Sequence, residues 1–573
     1  MTAADPAGTL AALRQAVQRQ PEDFIAWVVL AEAELDAGEL AAGLSAANHA
    51  LVLRPGHPEA LARQGKAYWM QGNHAQAVAA LGQARQGAPQ HPGIALWLAH
   101  ALEDAGEAEA AAAAYGHAYQ LLPNEPIFAA HLLNWRRRIC DWRDLERLTS
   151  QVRNAVNRGI PGVEPFAFLS EDATASEQLA CARLKARSIA ANDAAVPMYP
   201  TFSGPVLNLG FISNGFGAHP TGLLTVALFE ALRAMPDAKV HLFARNADDG
   251  SPIRRRLASA TRLHDVAGWS HQATAQLIRA QDVHILYDLR GWGGGGTPEV
   301  FALRPAAVQV SWLAYPGTSG APWMDYALAD GFVLPRDAPE HFSETVVRLP
   351  RCFQPSDNTR TVGVPPSREA CGLPATGIVY CCFNNSYKLN PESFERMLAV
   401  LRGVPGSVLW LLSGPGAANA RLASAARTHE IDPSRLVFMD KLPHAQYLAR
   451  YRHADLFLDT APYNAHTPAS DALWAGCPVL TRPGNTFASR VAGSLNHHLE
   501  LMEMNVDTDQ EFIDKAVTLG RHPQALAKQR QDVETARGAC GLFDMTAFAI
   551  DFAAIARTMA ERHAQGCLPA SFN

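Results

Sequence analysis

A 34-residue period runs through the first part of this 573-residue chain, and it restricts the fold more than any other feature. Segments beginning at Asp23, His57 and His91 repeat in phase. Gly38, Gly72 and Gly106 recur at that spacing, as do Ala33, Ala67 and Ala101, and Ala50, Ala84 and Ala118. Two sets of prolines punctuate the pattern: Pro21, Pro55, Pro89 and Pro123, and Pro58, Pro92 and Pro126. A unit of this length holds two helices. The repeated glycine supplies the turn between them, the alanines let the helices approach closely, and proline suits a first helical turn but not an interior. Stacked units form a superhelix with a groove. The expectation is a repeat array over 1–126 whose groove binds a protein or peptide, the alternative being a structural spacer. A helical linker over 127–204 follows, with Trp135 and Trp142 as packing residues.

The whole chain is too long for one core. Its net charge of −6 and pI near 6.4 offer no electrostatic footprint for nucleic acid. Arg136-Arg137-Arg138 is expected to be a solvated helix face. Nine cysteines are scattered without a C-x-x-C pair, which suits reduced thiols in a cytosolic protein. The N-terminal sequence lacks a signal pattern and no apolar run reaches membrane-spanning length. A soluble, cytoplasmic protein with neither membrane nor nucleic-acid partners is expected.

After the Pro-rich boundary at 192–205 the periodicity changes. Short apolar runs at 206–213, 239–244, 282–289 and 307–315 alternate with helical stretches. A second Pro-rich stretch covers about 331–376. The alternation then resumes at 378–383, 407–413, 435–440, 454–460 and 477–481. Such alternation implies parallel sheets covered by helices. Two blocks in tandem predict two Rossmann-like lobes, 205–365 and 366–573, the second carrying the C-terminal helix. Ligands in open sheets of this kind bind beyond the carboxyl ends of the strands, so the loops after these runs are where chemistry is expected.

In the second block, the loop after 378–383 contains Lys388, either a point charge for a diphosphate or a surface lysine. Asn390 and Pro391 then start a helix. After 454–460, Thr467 or a neighbour begins a helix with Pro468 near its first position. That helix start is an anion site, with His466 and Thr467 placed to touch the anion. Asp471, one turn on, either accepts from ribose hydroxyls or complements the helix dipole. In the first block, the loop NGFGAHPTG holds His219, a general base or substrate contact, or a packed capping residue. The loop RGWGGGG places Gly291, Gly293 and Gly296 in a G-x-G-x-x-G string. It lacks the acidic residue of a dinucleotide site, and is better read as backbone that must approach a sugar or peptide. Asp507-Thr508-Asp509 is a D-x-D string, read as a helix N-terminal acidic cluster. No metalloprotease, α/β-hydrolase or P-loop pattern occurs.

The repeats resemble tetratricopeptide repeats (TPR). The segments 301–326, 379–394, 407–412, 454–481 and 487–494 closely resemble the O-linked N-acetylglucosamine transferase family, in its bacterial form without the domain inserted between the lobes of animal members. The resemblance implies an α-helical TPR superhelix followed by an α/β GT-B fold. It also implies an inverting mechanism, UDP-N-acetylglucosamine as donor, Ser/Thr of proteins as acceptor, and no metal or other cofactor. By motif, His219 falls on the family's active-site histidine and Lys388 on its diphosphate-binding lysine. Asn385 falls at a nucleotide-contacting amide, His466 and Thr467 on the donor-diphosphate loop, and Asp471 on the ribose-binding acid. Tyr315, Pro316, Gly317 and Thr318 fall in the sugar-pocket segment. Pro468 replaces a family threonine, removing a hydroxyl and an N–H from the phosphate site. His444 and Tyr447 stand where animal members have Lys and His, with Tyr447 able to stack on uracil. These departures leave the nucleotide-diphosphate reading intact and bear on donor affinity and donor identity. The alternatives are a related transferase using another donor such as GDP-fucose, a repeat scaffold that binds nucleotide without turnover, and a transferase acting on small molecules or glycans.

Overall fold

The computed structural model describes residues 6–189, 202, 204–336 and 341–572. Most of the boundary expected at 192–205 lies outside them. The chain divides into two compact units, Met1–Gln151 with Gly414–Ala418, and Val152–Ser413 with Asn419–Asn573.

In the first unit each 34-residue repeat is a helix pair: Phe24–Asp36 with Leu40–Leu53, Pro58–Met70 with His74–Gly87, and Pro92–Asp104 with Ala108–Leu121. The residues that open the three segments are the helix N-caps. Asp23, His57 and His91 each accept a backbone N–H of the first turn, which replaces a bond the helix cannot make internally. Pro58, Pro92 and Pro126 occupy the first position of their helices. Gly38, Gly72 and Gly106 have φ of +81°, +76° and +78°, the left-handed turn that the spacing predicts. Ala50, Ala84 and Ala118 are wholly buried between helices. Side chains one repeat apart tie neighbouring units together. Lys66 Nζ bonds Glu32 at 2.7 Å, and Trp69 Nε1 bonds Asp104 at 2.6 Å. Trp135 is a packing residue, 5% exposed. The arginine cluster beside it is not a solvated face. Arg137 is buried, Arg136 bonds Asp144, and Arg138 lies over the Trp135 ring at 5.3 Å. These cations sit in the last turn of Pro126–Arg138, where the helix dipole favours positive charge.

Among its described residues the second unit contains two wholly parallel sheets. The first comprises β1 (Leu207–Ser213), β2 (Ala238–Ala244), β3 (Arg262–Asp265), β4 (Ile285–Asp288), β5 (Val308–Ser311), β6 (Tyr326–Asp330) and β7 (Thr345–Leu349). The second comprises β8 (Val379–Cys382), β9 (Val408–Leu412), β10 (Leu436–Met439), β11 (Leu456–Leu458) and β12 (Val479–Leu480). Their orders are β3-β2-β1-β4-β5-β6-β7 and β10-β9-β8-β11-β12. Strands β4, β5, β8 and β11 are buried along their whole length, so they read as apolar runs without alternation. Strands β3, β6 and β7 were not expected from the sequence.

The order of the first sheet reverses between β1 and β4, and that of the second between β8 and β11. Those two switch points are where such sheets open a crevice for ligands. One element departs from the expected lobe division. The C-terminal helix Met545–Ala564 returns to the first sheet, where Phe552 lies 5.1 Å from the Tyr287 ring and 4.9 Å from Trp312. Its apolar stripe finds its complement in the aromatic side chains beneath β1, β4 and β5. All nine cysteines are free thiols. Among the described residues no helix is long and apolar enough to cross a membrane.

Candidate active site

The first switch point is built from the loops after β1 and β4. The β1 loop folds tightly onto the helix Pro220–Arg233, whose N-cap is His219. A Cβ on Gly215 would collide with the His219 imidazole, so the glycine is what admits the ring. His219 Nδ1 accepts the Thr221 N–H at 3.2 Å. A backbone N–H can only donate, so in the neutral ring the proton resides on Nε2. Burial, and secondarily the Arg290 charge, push the His219 pKa down to about 4, so the ring is neutral at physiological pH. His219 is thus both the capping residue and a side chain presenting Nε2–H to the crevice.

Arg290, in the β4 loop, places Nη1 3.4 Å from His219 Nε2, and its Nε donates to the Gly294 carbonyl at 2.7 Å. The glycine-rich string after β4 does make a close approach, but to protein. Gly291 has φ of +52°, and a Cβ there would lie 2.6 Å from Tyr315 Cβ. Tyr315 is buried, and burial holds its hydroxyl well above the usual phenol range. Pro316 and Gly317 are buried beside it. Thr318 Oγ1 donates to Glu344 at 2.6 Å. Leu313, at φ +81°, turns the chain from β5 into this segment in a conformation that costs a non-glycine residue roughly 1–3 kcal/mol.

The second switch point gathers the loops after β8 and β11. Lys388 is 7% exposed. Its Nζ donates to the Asn464 carbonyl at 2.7 Å and lies 3.8 Å from the centre of the Tyr463 ring. Burial lowers its pKa to about 7, against the opposing pull of Asp459. The surface-lysine reading is therefore excluded. His466 Nε2 donates to the Ala488 carbonyl at 3.2 Å. Burial, with the Lys388 charge second, keeps its pKa far below the usual histidine range. The helix Thr467–Trp474 begins at Thr467 with Pro468 next, as expected. Asn385 is exposed at the rim.

Asp471 is 3% exposed, and one of its oxygens is already engaged. Oδ1 takes Arg360 Nη1 at 2.7 Å and lies 3.2 Å from His444 Nε2. Among the described residues no hydrogen bond is made to its other carboxylate oxygen, Oδ2. The His444 ring lies parallel to Tyr447 at 6.2 Å. The Tyr447 hydroxyl is 2.6 Å from that of Tyr451, which bonds the Pro468 carbonyl. Asp507-Thr508-Asp509 caps the helix Asp509–Arg521 through a Thr508–Glu511 capping box, and Asp509 is paired with Arg396 and Arg482.

The structure brings most of the sequence-predicted residues together. Tyr315, Trp292 and Tyr463 share one buried cluster, against which Tyr387 packs. His219 meets Arg290, whose charge is felt by Tyr463 and Tyr387. Tyr463 in turn carries Lys388 on its face and lies 5.0 Å from His466. Asp471 sits further along the Thr467–Trp474 helix, and Tyr447 lies in the helix His444–Arg450. Gly317 and Thr318 line a cavity of about 690 Å³ that Pro462, Arg482 and Arg490 also border. Arg290 and Arg360 were missed by sequence reasoning. Arg290 adjoins a glycine string that drew attention to its backbone, and Arg360 lies in a Pro-rich stretch without periodicity.

Two Rossmann-like lobes, each with its switch point furnished for a ligand, define a GT-B-type fold preceded by a TPR array. The chain belongs to glycosyl transferase family 41, whose model matches residues 139–363 and 357–552. Tetratricopeptide repeat models match 1–58 and 68–130. A probable UDP-N-acetylglucosamine–peptide N-acetylglucosaminyltransferase of Arabidopsis thaliana is 32% identical over 72% of this chain and 45% of its own length. A UDP-N-acetylglucosamine–peptide N-acetylglucosaminyltransferase of Caenorhabditis elegans is 26% identical over 75% of this chain and 48% of its own. The chain spans about half the length of these curated relatives. A solved O-GlcNAc transferase mutant of Thermobaculum terrenum superimposes with a TM-score of 0.70 at 25% identity, covering 99% of this chain and 100% of that one.

Proposed function

We propose that this chain is an inverting glycosyltransferase that moves N-acetylglucosamine from UDP-N-acetylglucosamine to Ser or Thr hydroxyls of polypeptides in the cytoplasm, without a metal. The observation that carries the reading is Lys388, a buried ammonium at the second switch point with no carboxylate in ion-pair range among the described residues. It belongs to the loop after β8, while the helix start at Thr467 belongs to the loop after the adjacent strand β11. A buried cation whose counter-charge, Asp459, acts only at a distance is costly, and a diphosphate supplies an anion in direct contact. The names of the relatives supply the donor and acceptor classes.

In the proposed reaction the acceptor oxygen attacks the anomeric carbon from the face opposite the nucleotide. The new C–O bond forms as the bond to the β-phosphate oxygen breaks, the electron pair leaves on UDP, and the hydroxyl proton departs to solvent. Lys388 and the Thr467 helix start stabilise the charge developing on the leaving group, usually the largest catalytic contribution. Asp471 orients the ribose, Tyr447 and Asn385 border the base, and the Tyr315–Thr318 segment holds the sugar. His219, with Nδ1 occupied by the helix start, acts as a donor of Nε2–H rather than as the base. The TPR groove holds the polypeptide.

Calorimetry tests the donor site. UDP and UDP-N-acetylglucosamine should bind the full chain, and GDP-fucose should not. Binding of GDP-fucose in preference to both would overturn the donor assignment.

A further inference from the structure

We infer that Arg290 and His219 form an anion-receiving pair that takes an acidic oxygen of the donor from the first lobe, opposite Lys388. The inference rests on the nucleotide-sugar reading and adds to it a recognition element from the other sheet.

Thr221 N–H fixes His219 Nδ1 as an acceptor, so neutral His219 offers Nε2–H. Arg290 Nη1 approaches that same nitrogen to 3.4 Å, and a guanidinium has donors only. Two donors therefore converge on one point with no acceptor between them, a contact that an anionic oxygen accepting from both would convert into two hydrogen bonds. Bonds to an ionised acceptor are the strong ones.

The charge balance points the same way. Arg290 is half-buried, and no carboxylate lies within ion-pair distance of it among the described residues. Asp288, the acid whose charge acts on Arg290, accepts at Oδ1 from the backbone N–H groups of Arg290 and Gly291, each at 2.8 Å. That arrangement fixes the loop without neutralising the guanidinium. Burial lowers the Arg290 pKa, with Tyr387, Asp288 and Tyr463 opposing it. Tyr463 carries the Lys388 ammonium on its ring. Arg290 and Lys388, one from each lobe and neither in ion-pair contact with a carboxylate among the described residues, thus both act on Tyr463, Lys388 from its ring face and Arg290 through its charge. An anion in the crevice offers the guanidinium the counter-charge it lacks.

Two parts of a nucleotide sugar carry such an oxygen: the diphosphate, and the carboxylate of an acidic transferred sugar. Calorimetry on the full chain separates them, using UDP, UMP and UDP-glucuronic acid against wild type, Arg290→Gln and Arg290→Lys. If the pair takes the β-phosphate, Arg290→Gln weakens UDP by about tenfold or more, leaves UMP within about twofold, and Arg290→Lys restores part of the loss. If it takes a sugar carboxylate, UDP is unchanged and UDP-glucuronic acid alone is weakened. Unchanged affinity for all three in a variant that melts like wild type overturns the inference while leaving the donor site intact. A wild type that binds no UDP overturns the nucleotide reading itself. His219 supplies an independent arm. His219→Gln, whose amide nitrogen reaches the position of Nε2, should keep more donor affinity than His219→Asn, whose amide reaches only that of Nδ1. The reverse order would contradict the Nε2–H donor role.

Discussion

If Lys388 is the cation that meets the leaving diphosphate, donor binding must be coupled to proton uptake. In the free protein, burial holds the Lys388 pKa near 7, so about half the molecules carry the charge at pH 7 and about a tenth at pH 8. A diphosphate stabilises the charged form and raises the pKa in the complex. The sign is therefore fixed: binding above pH 7 takes up a proton, and affinity falls as pH rises. With a terminal phosphate whose second pKa is about 6, UDP is fully charged across the alkaline range and adds no proton of its own. The charged fraction then sets the slope, a loss of about fivefold from pH 7 to pH 8 and about tenfold for the next unit. Titration of UDP at pH 8 in buffers of different ionisation enthalpy should show uptake of about 0.9 proton per UDP bound. Lys388→Met should abolish the uptake together with most of the affinity. Affinity independent of pH between 7 and 9, with no proton exchange in wild type, would refute the assignment of Lys388 to the anion.

Two further outcomes follow from the packing. Because the folded pKa of Lys388 lies below its unfolded value, its effect on stability is unfavourable below about pH 7 and fades as pH rises toward 10. Lys388→Met should thus raise the melting temperature at pH 6 by a few degrees, and a lower midpoint than wild type would contradict the burial argument. Gly291→Ala forces a Cβ to 2.6 Å from Tyr315 Cβ at φ +52°. It should lower unfolding stability by about 1–3 kcal/mol in denaturant titration, and a neutral substitution would show that the loop yields freely.

What the sequence made legible divides along physical lines. The repeat array was readable to the residue, because its caps, turn glycines and helix-opening prolines are local devices: Asp23, His57 and His91 bond their own first turns. The strands that line the switch points were readable as apolar runs, since burial on both faces of β1, β4, β8 and β11 leaves no polar alternation. Strand β3, with the sequence RLHD, pairs at the sheet edge and needs no apolar run. Strand β7 lies inside a stretch whose prolines signal turns. At the site, the positions of Lys388 and Thr467 are legible because each lies in the connection that follows a strand. Arg360 was not, since it reaches Asp471 across 111 residues by a contact that only the tertiary fold creates. The Arg290–His219 approach spans 71 residues and depends on β1 and β4 being neighbours. The C-terminal helix escapes a division drawn along the sequence for the same reason, because proximity in sequence to β12 says nothing of its packing on Tyr287 and Trp312.

The central claim is sugar transfer to polypeptide, and mass spectrometry of acceptor proteins incubated with the full chain and UDP-N-acetylglucosamine tests it most directly. The account predicts the mass of one N-acetylhexosamine added at Ser or Thr, lost with Lys388→Met and reduced when residues 1–125 are deleted. An absence of transfer to any polypeptide by a protein that binds UDP, or transfer of a deoxyhexose from GDP-fucose instead, would contradict it.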